Sequence, residues 1–126
     1  MTDDEAAIRA IIERQSKAVR DRELAEIRRD HADDLLMFDV PAPLQSRGLD
    51  AYVDTWTSFL PHITPRMKFE FTEVEVTAGV DVAFATAIGH CFDDGQPIDF
   101  RWTTGLRKRD GRWVITHEHH SVPAGK

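Results

Sequence analysis

The sequence predicts an α+β fold in which helices come first and pack on one face of an antiparallel sheet. Three observations lead to this prediction. Apolar residues recur at helical spacing through the first sixty residues, and they alternate with polar residues at strand spacing after Pro61. The alternating segments are joined by short turns rich in Gly and Asp, and short connections make neighbouring strands antiparallel.

The first predicted helix begins at Thr2, which stands three residues before Glu5, the spacing of a capping box. Its apolar stripe consists of Ile8, Ile11, Ile12, Ala18 and Val19. Gln15 lies on the same face. Because an unpaired amide in a core is costly, we expect Gln15 to have a buried hydrogen-bond partner.

A short second helix is predicted over residues 23–31, carrying Leu24 and Ile27. The strand-like run "DDLLMFDVPAP" follows, reaching Asp39 before Pro41 interrupts it. A third helix begins after Gly48 and is predicted to end at Pro61. Its apolar positions are Leu49, Tyr52, Val53, Trp56, Phe59 and Leu60.

Four strands complete the chain. They are "RMKFEFTEVEVTA", "VDVAFATAIGHCF", "PIDFRWTTGLRKR" and "RWVITHEHHSV", joined by the turns "AGVD", "DDGQ" and "RDGR". In the second of them, small residues on one face oppose bulkier residues on the other, and the sequence leaves open which face is turned inward. The aromatic residues Trp56, Phe84 and Trp102 fit either an ordinary core or the wall of a pocket.

The composition indicates one globular domain spanning residues 1–126, with 41% hydrophobic and 30% charged residues. No apolar run is long enough for a membrane span, and the acidic N-terminus is unlike a signal peptide, so we expect a cytoplasmic protein. Cys91 is the single cysteine, which excludes an internal disulfide. The net charge of −6 argues against a nucleic-acid partner.

The stretch "THEHHSVP" places three histidines within four positions. If side chains alternate regularly, His117 and His119 share a face with Trp113 and Ile115 and lie at the edge of the core, whereas His120 points the other way. With Asp39 the pair could bind a metal ion, but His-x-His on a strand is a weak motif. We therefore predict paired or half-exposed core-edge histidines, no metal site and no cofactor.

Two segments, "HADDLLMFDVPAPLQSRG" and "GLRKRDGRWVITHEHHSVP", together with the order of elements, resemble the SnoaL-like branch of the nuclear transport factor 2-like superfamily, which includes ketosteroid isomerase. The resemblance covers essentially the whole chain. It implies a cystatin-like cone, in which a strongly curved antiparallel sheet wraps around about three N-terminal helices and encloses a pocket. It also implies a homodimer formed through the outer face of the sheet.

The resemblance also implies roles for single residues. Asp39 matches the general-base carboxylate of ketosteroid isomerase. The two oxyanion donors of that enzyme fall at Gln15 and near Thr103, so both donors are changed and steroid isomerisation itself is not expected. The Arg-x-Asp pair of limonene epoxide hydrolase falls at Arg101 and Thr103, where the acid is missing. A pocket Asp, which SnoaL-type cyclases use as acid–base, is retained.

These residues define the predicted site. We expect Asp39 and His119 to be catalytic, with the pocket formed by Gln15, Trp56, Arg101, Thr103 and His117. Burial should raise the pKa of Asp39, and a nearby arginine should oppose that shift.

The expected ligand is a small, largely apolar or carbonyl-containing molecule, and the expected chemistry is acid–base isomerisation, cyclisation or dehydration. Three alternatives remain open: a purely structural network in which Asp39 pairs with Arg101, a non-catalytic binding protein, and a dimerisation module.

Overall fold

The computed structural model describes residues 2–94 and 97–125, which form three α-helices and a six-stranded sheet. The helices are α1 (Asp3–Asp21), α2 (Leu24–Arg28) and α3 (Leu49–Phe59), the last followed by a 3₁₀ turn at Leu60–His62. The strands are β1 (His31–Phe38), β2 (Ser46–Arg47), β3 (Lys68–Ala78), β4 (Val82–Phe92), β5 (Ile98–Arg109) and β6 (Arg112–Ser121). Their order across the sheet is β2-β1-β6-β5-β4-β3.

The predicted fold class is confirmed: the sheet is curled and open, and the helices precede its four long strands. One pairing adds to the prediction, because β1 runs parallel to β6 while the other neighbours are antiparallel. The length of a connection indicates strand direction only for strands adjacent in the chain, and β1 and β6 are separated by most of the sequence.

The helix ends follow from local chemistry. The Glu5 backbone N–H donates to Thr2 Oγ1 at 3.1 Å, as the capping spacing predicts. The second helix is shorter than predicted, because the chain turns through a left-handed Asp30 (φ 67°) and enters β1 at His31. Pro61 does not stop the third helix abruptly; it lies inside the 3₁₀ turn that extends it.

The turns between the long strands agree with their composition. Asp110 and Gly111 both have positive φ, 53° and 75°, as a two-residue type I′ hairpin requires. The Gly79 N–H donates to the Val82 carbonyl at 2.8 Å and closes the β3–β4 turn. Gly95 and Gln96 of the predicted "DDGQ" turn lie outside the described residues.

Two apolar clusters fill the space between helices and sheet. In the first, which we call the packed end, α1 runs alongside β3 and packs with side chains of β4, β5 and β6. It consists of Ile8, Ile11, Ile12, Ala83, Ala85, Leu106, Trp113 and Ile115. The small residues of β4 therefore face inward, into this cluster, and Phe84 on the opposite face is 50% exposed.

The second cluster, which we call the cavity end, surrounds α3 and is rich in aromatic side chains, among them Tyr52, Trp56, Phe69 and Trp102. Trp56 and Phe69 make an edge-to-face contact there, as do Phe69 and Trp102. The ring of Phe100 lies over Gly89, where an added Cβ would fall 2.2 Å from a ring carbon, so any larger residue would have to displace that ring. Among the described residues, no helix is both long and apolar enough to cross a membrane.

Candidate active site

A bulge in β6 decides which histidine reaches the interior. Gly105 and Leu106 are consecutive on β5, but their partners on β6 are His117 and Ile115, so Thr116 is an extra residue. Strict alternation would keep His117 and His119 on the inner face with Ile115. Because one residue is inserted, the parity changes and Glu118 and His120 face inward instead.

A cavity of about 290 Å³ opens at the cavity end. Five aromatic side chains form much of its wall: Trp56, Phe59, Phe69, Phe100 and Trp102. Val40, Pro41, Cys91, Ile98 and Val122 add apolar surface, and Asp39, Thr55 and His120 are its polar lining. The volume is sufficient for a small organic molecule, and an apolar wall with a few polar groups is typical of a ligand site.

Asp39 and His120 form a hydrogen-bonded pair at this cavity. Asp39 follows β1 directly, and its Oδ1 accepts from the Val40 backbone N–H at 2.8 Å and lies 3.2 Å from His120 Nδ1. The side chain of Asp39 is 26% exposed and that of His120 only 8%. Both hydrogen bonds to the carboxylate end on Oδ1, so among the described residues Oδ2 remains the free acceptor.

Behind His120 lies Glu118, a fully buried carboxylate that accepts from four side chains. His120 Nε2 lies 2.9 Å from its Oε1, and His31 Nε2 lies 2.6 Å from its Oε2. The Gln15 amide donates to Oε2 at 2.8 Å, and the Tyr52 hydroxyl lies 3.0 Å from both oxygens. A carboxylate can be buried only when it is hydrogen-bonded in this way, so the network keeps Glu118 charged inside the core.

The hydrogen bonds also define the protonation of the imidazoles. Both nitrogens of His120 face carboxylates, which accept when ionised, so both carry protons and the ring is an imidazolium. That ring stacks on Trp102 with the centroids 3.9 Å apart, a favourable position for a cation. His31 Nδ1 lies 2.9 Å from the Arg29 carbonyl, which can only accept, so this nitrogen is also protonated.

The pKa values follow the same arrangement. Burial opposes the charge on Glu118, but the charge of His31 and the His120 hydrogen bond outweigh it and lower its pKa to about 2. Burial also opposes the charge on His120, yet its bonds to Asp39 and Glu118 raise its pKa to about 9. For Asp39, burial is again outweighed by His120, so the pKa lies below its ordinary value.

Several of the predicted site residues lie away from the cavity. His119 is exposed and His117 donates from Nδ1 toward the Leu36 carbonyl at 2.7 Å, both on the outer face of the sheet. Thr103 pairs directly with His119 on β6, so it shares that outer face, and Arg101 is exposed beside it on β5. Asp39 therefore does not pair with Arg101, and its pKa is lowered rather than raised because His120 takes the place of an arginine.

Other predicted positions are found at the site. Asp39 and Trp56 line the cavity. Gln15 is buried with Tyr52 and Glu118 as its partners, as a polar residue in an apolar stripe must be, but it lies behind the wall and not on it. Whether Asp39 acts as a base stays a prediction. Within residues 2–94 and 97–125, no group of three or more His, Cys, Asp or Glu side chains is arranged to hold a metal ion.

Glu118, His31 and Tyr52 were not predicted as part of the site, and His120 was predicted to point away from the core. The sequence contained one sign of this network: Glu118 lies between His117 and His119, and a carboxylate among histidines can form hydrogen bonds with them. A bulge is not visible from residue types alone, so the alternation gave the opposite faces.

A six-stranded, mixed and curled sheet preceded by helices is the fold of cystatin-like, NTF2-like proteins. The SnoaL-like domain family matches residues 8–125, and the chain belongs to this family. None of the curated proteins compared with it has significant sequence similarity to this chain.

Solved structures support the assignment. An NTF2-like protein of unknown function from Pseudomonas putida KT2440 is 37% identical, with 99% of this chain and 90% of that chain covered and a TM-score of 0.93. A ketosteroid isomerase-like protein from Erwinia carotovora atroseptica is 20% identical (99% and 100% covered, TM-score 0.81). A protein of unknown function with a cystatin-like fold from Nostoc punctiforme is 12% identical (98% and 95%, TM-score 0.85). The last two show the fold alone.

Proposed function

We propose that this SnoaL-like protein binds a small, largely apolar, carbonyl-containing molecule in the cavity and transfers a proton with Asp39. The observation that supports this most is the position of one free carboxylate oxygen at the wall of an otherwise apolar cavity of about 290 Å³. An ionised carboxylate held at the wall of an apolar cavity can remove a proton from a carbon next to a carbonyl group.

His120 assists Asp39 without contacting the ligand through its ring nitrogens, because both are engaged by carboxylates. Its positive charge keeps Asp39 ionised and therefore able to accept a proton, and it remains beside the cavity to offset the negative charge that moves onto the carbonyl oxygen. The same carboxylic acid then returns the proton to a different carbon, which completes an isomerisation. Glu118 keeps His120 charged throughout.

Proton exchange at the α-carbon tests the proposal. A panel of cyclic and aromatic ketones, with and without a hydroxyl group next to the carbonyl, is incubated with the protein in deuterium oxide, and the loss of the α-proton signal is followed by NMR. Asp39→Asn should slow the exchange about a hundredfold, because a positioned general base contributes about 10²-fold or more. Asp54→Asn, which removes an exposed carboxylate on α3, is the matched control and should exchange at the wild-type rate. Equal rates for Asp39→Asn and wild type would exclude Asp39 as the base.

A non-catalytic binding protein is the second candidate, and a specific observation favours it. The polar side chains that line the cavity are Asp39, Thr55 and His120, and none of them has a free N–H or O–H with which to hold an enolate oxygen. Under this alternative, ketones raise the melting temperature of the protein but exchange no faster than in buffer.

We further propose a homodimer formed through the outer face of the sheet, in the cytoplasm. Val82 and Phe84 of β4 are 52% and 50% exposed there, and their burial against a second copy would remove apolar surface from water. Light scattering of the wild type should give twice the chain mass, and Phe84→Glu should give the mass of one chain. A monomeric wild type at micromolar concentration would exclude this assembly.

A further inference from the structure

The polar side chains of the cavity differ in hydrogen-bonding character from those of a carbonyl-binding site. Asp39 presents the acceptor Oδ2, since Oδ1 already accepts from Val40 and His120. Thr55 donates its hydroxyl proton to the Tyr52 carbonyl at 2.6 Å, so its Oγ1 offers only lone pairs to the cavity. Two acceptors therefore face the ligand.

Donors at the wall are engaged or out of reach. Both N–H groups of His120 point at carboxylates. The indole nitrogens of Trp56 and Trp102 have almost no accessible surface, so the two rings present carbon atoms to the cavity. Cys91 is half-buried, and its thiol, whose pKa is raised by burial, is a weak donor.

From these donors and acceptors we infer that the site selects an apolar molecule that carries a hydroxyl or another hydrogen-bond donor. This donor binds Asp39 Oδ2. Ligands that carry a carboxylate are disfavoured. The inference rests on the proposed binding cavity and names the ligand class more closely. A hydrogen-bond donor on the ligand replaces the water that Asp39 Oδ2 loses on binding, whereas a hydrocarbon displaces that water and leaves Oδ2 without a partner. A carboxylate would bring two negative oxygens together in an apolar environment.

For the carbonyl chemistry proposed above, the same inference makes the substrate a hydroxy-carbonyl compound rather than a simple ketone. The hydroxyl anchors one end of the molecule at Asp39 and leaves the rest of the carbon skeleton against the aromatic wall. The acidic C–H is then adjacent to the anchored oxygen, within reach of the same carboxylate.

Four compounds of nearly equal size test the ligand class: adamantane, adamantanol, adamantanone and adamantanecarboxylate. Binding of each compound is measured by calorimetry, which does not depend on the absorbance of the ligand. Adamantanol should bind about tenfold tighter than adamantane or adamantanone, as a hydrogen bond to a charged group allows, and the carboxylate should bind weakest.

Substitutions distinguish whether the order of affinities comes from the acceptors Asp39 and Thr55 or from the shape of the cavity. In Asp39→Asn the alcohol should lose its advantage and the carboxylate its penalty, whereas Asp54→Asn should keep the wild-type order. Thr55→Val removes the second acceptor and should lower the preference for the alcohol by a smaller factor, which keeps the test valid if Asp39→Asn folds poorly.

The outcomes are distinguishable. Tightest binding by the ketone or the carboxylate, or an unchanged order in both Asp39→Asn and Thr55→Val, would overturn the inferred ligand class while leaving the binding cavity in place. No binding by any of the four compounds would overturn the proposed binding function, and the inferred ligand class with it.

Discussion

The packed end and the cavity end of this molecule are built from the same sheet but contain different chemistry. At the packed end, isoleucines of α1 pack with apolar side chains of β4, β5 and β6, and eight apolar side chains form the buried cluster. At the cavity end, a buried Glu118 and its four donors stand beside a cavity of about 290 Å³. The packed end is therefore filled by apolar side chains, whereas the cavity end combines a hydrogen-bonded charged network with open space.

The largest effect is expected from Glu118→Gln. The amide keeps the shape of the side chain but removes the charge that His120 and His31 face, and its NH₂ group meets donors. Breaking a buried charged network from one side costs about 3–5 kcal/mol, so the free energy of unfolding in urea should fall by about that amount. Glu75→Gln, an exposed change on β3, is the control and should lie within about 0.5 kcal/mol of wild type. A loss below about 1 kcal/mol for Glu118→Gln would contradict the network.

A pair of identical substitutions compares the two ends directly. Ile115→Ala at the packed end should destabilise the protein by about 2–5 kcal/mol, because Ile115 is fully buried and α1 prevents collapse of the space it leaves. Ile98→Ala at the cavity should cost under about 1 kcal/mol, since Ile98 is 55% exposed. Similar losses for both in thermal or urea unfolding would mean that the two ends are packed alike.

The pH dependence of stability reports the charged pair. The pKa of His120 is raised from 6.5 to about 9, so its contribution is fully present below pH 6.5 and is lost as the pH rises to about 9. The pKa of Glu118 is lowered from 4.5 to about 2, so its contribution is present above pH 4.5 and is lost as the pH falls to about 2. Stability should therefore be greatest between about pH 4.5 and 6.5.

The loss of stability at alkaline pH reports His120 more specifically than the loss in acid reports Glu118, because other carboxylates with lowered pKa, such as Asp4 and Asp93, also titrate in acid. Between pH 6.5 and 9 the free energy of unfolding should fall by on the order of 2 kcal/mol. His120→Gln should remove this slope. A wild-type profile that is flat over the same interval would show that His120 is not held as an imidazolium.

The smallest effect is expected from His119→Gln. His119 is exposed on the outer face, so the substitution should change the free energy of unfolding by less than about 0.5 kcal/mol and leave ketone exchange unchanged. A large loss of exchange with His119→Gln, at unchanged stability, would restore the role that sequence reasoning assigned to it.

Most of the architecture was predictable from local chemistry. The capping pair Thr2 and Glu5, the change of period after Pro61 and the Asp110–Gly111 turn each act over a few residues, so their effects can be seen in the chain itself. The position of Asp39 at the end of an apolar run was predictable for the same reason, and so was the need of Gln15 for a buried partner.

The sequence thus predicted the three helices, β1, the four long strands, their order and the position of Asp39 directly after β1, but it did not predict the short strand β2. The tertiary structure alone decided that β1 lies parallel to β6, which brings Asp39 next to His120, and that Thr116 is inserted as a bulge, which turns Glu118 and His120 inward. The physical reason is that strand pairing joins residues far apart in the chain, and a single inserted residue reverses the facing of every side chain beyond it.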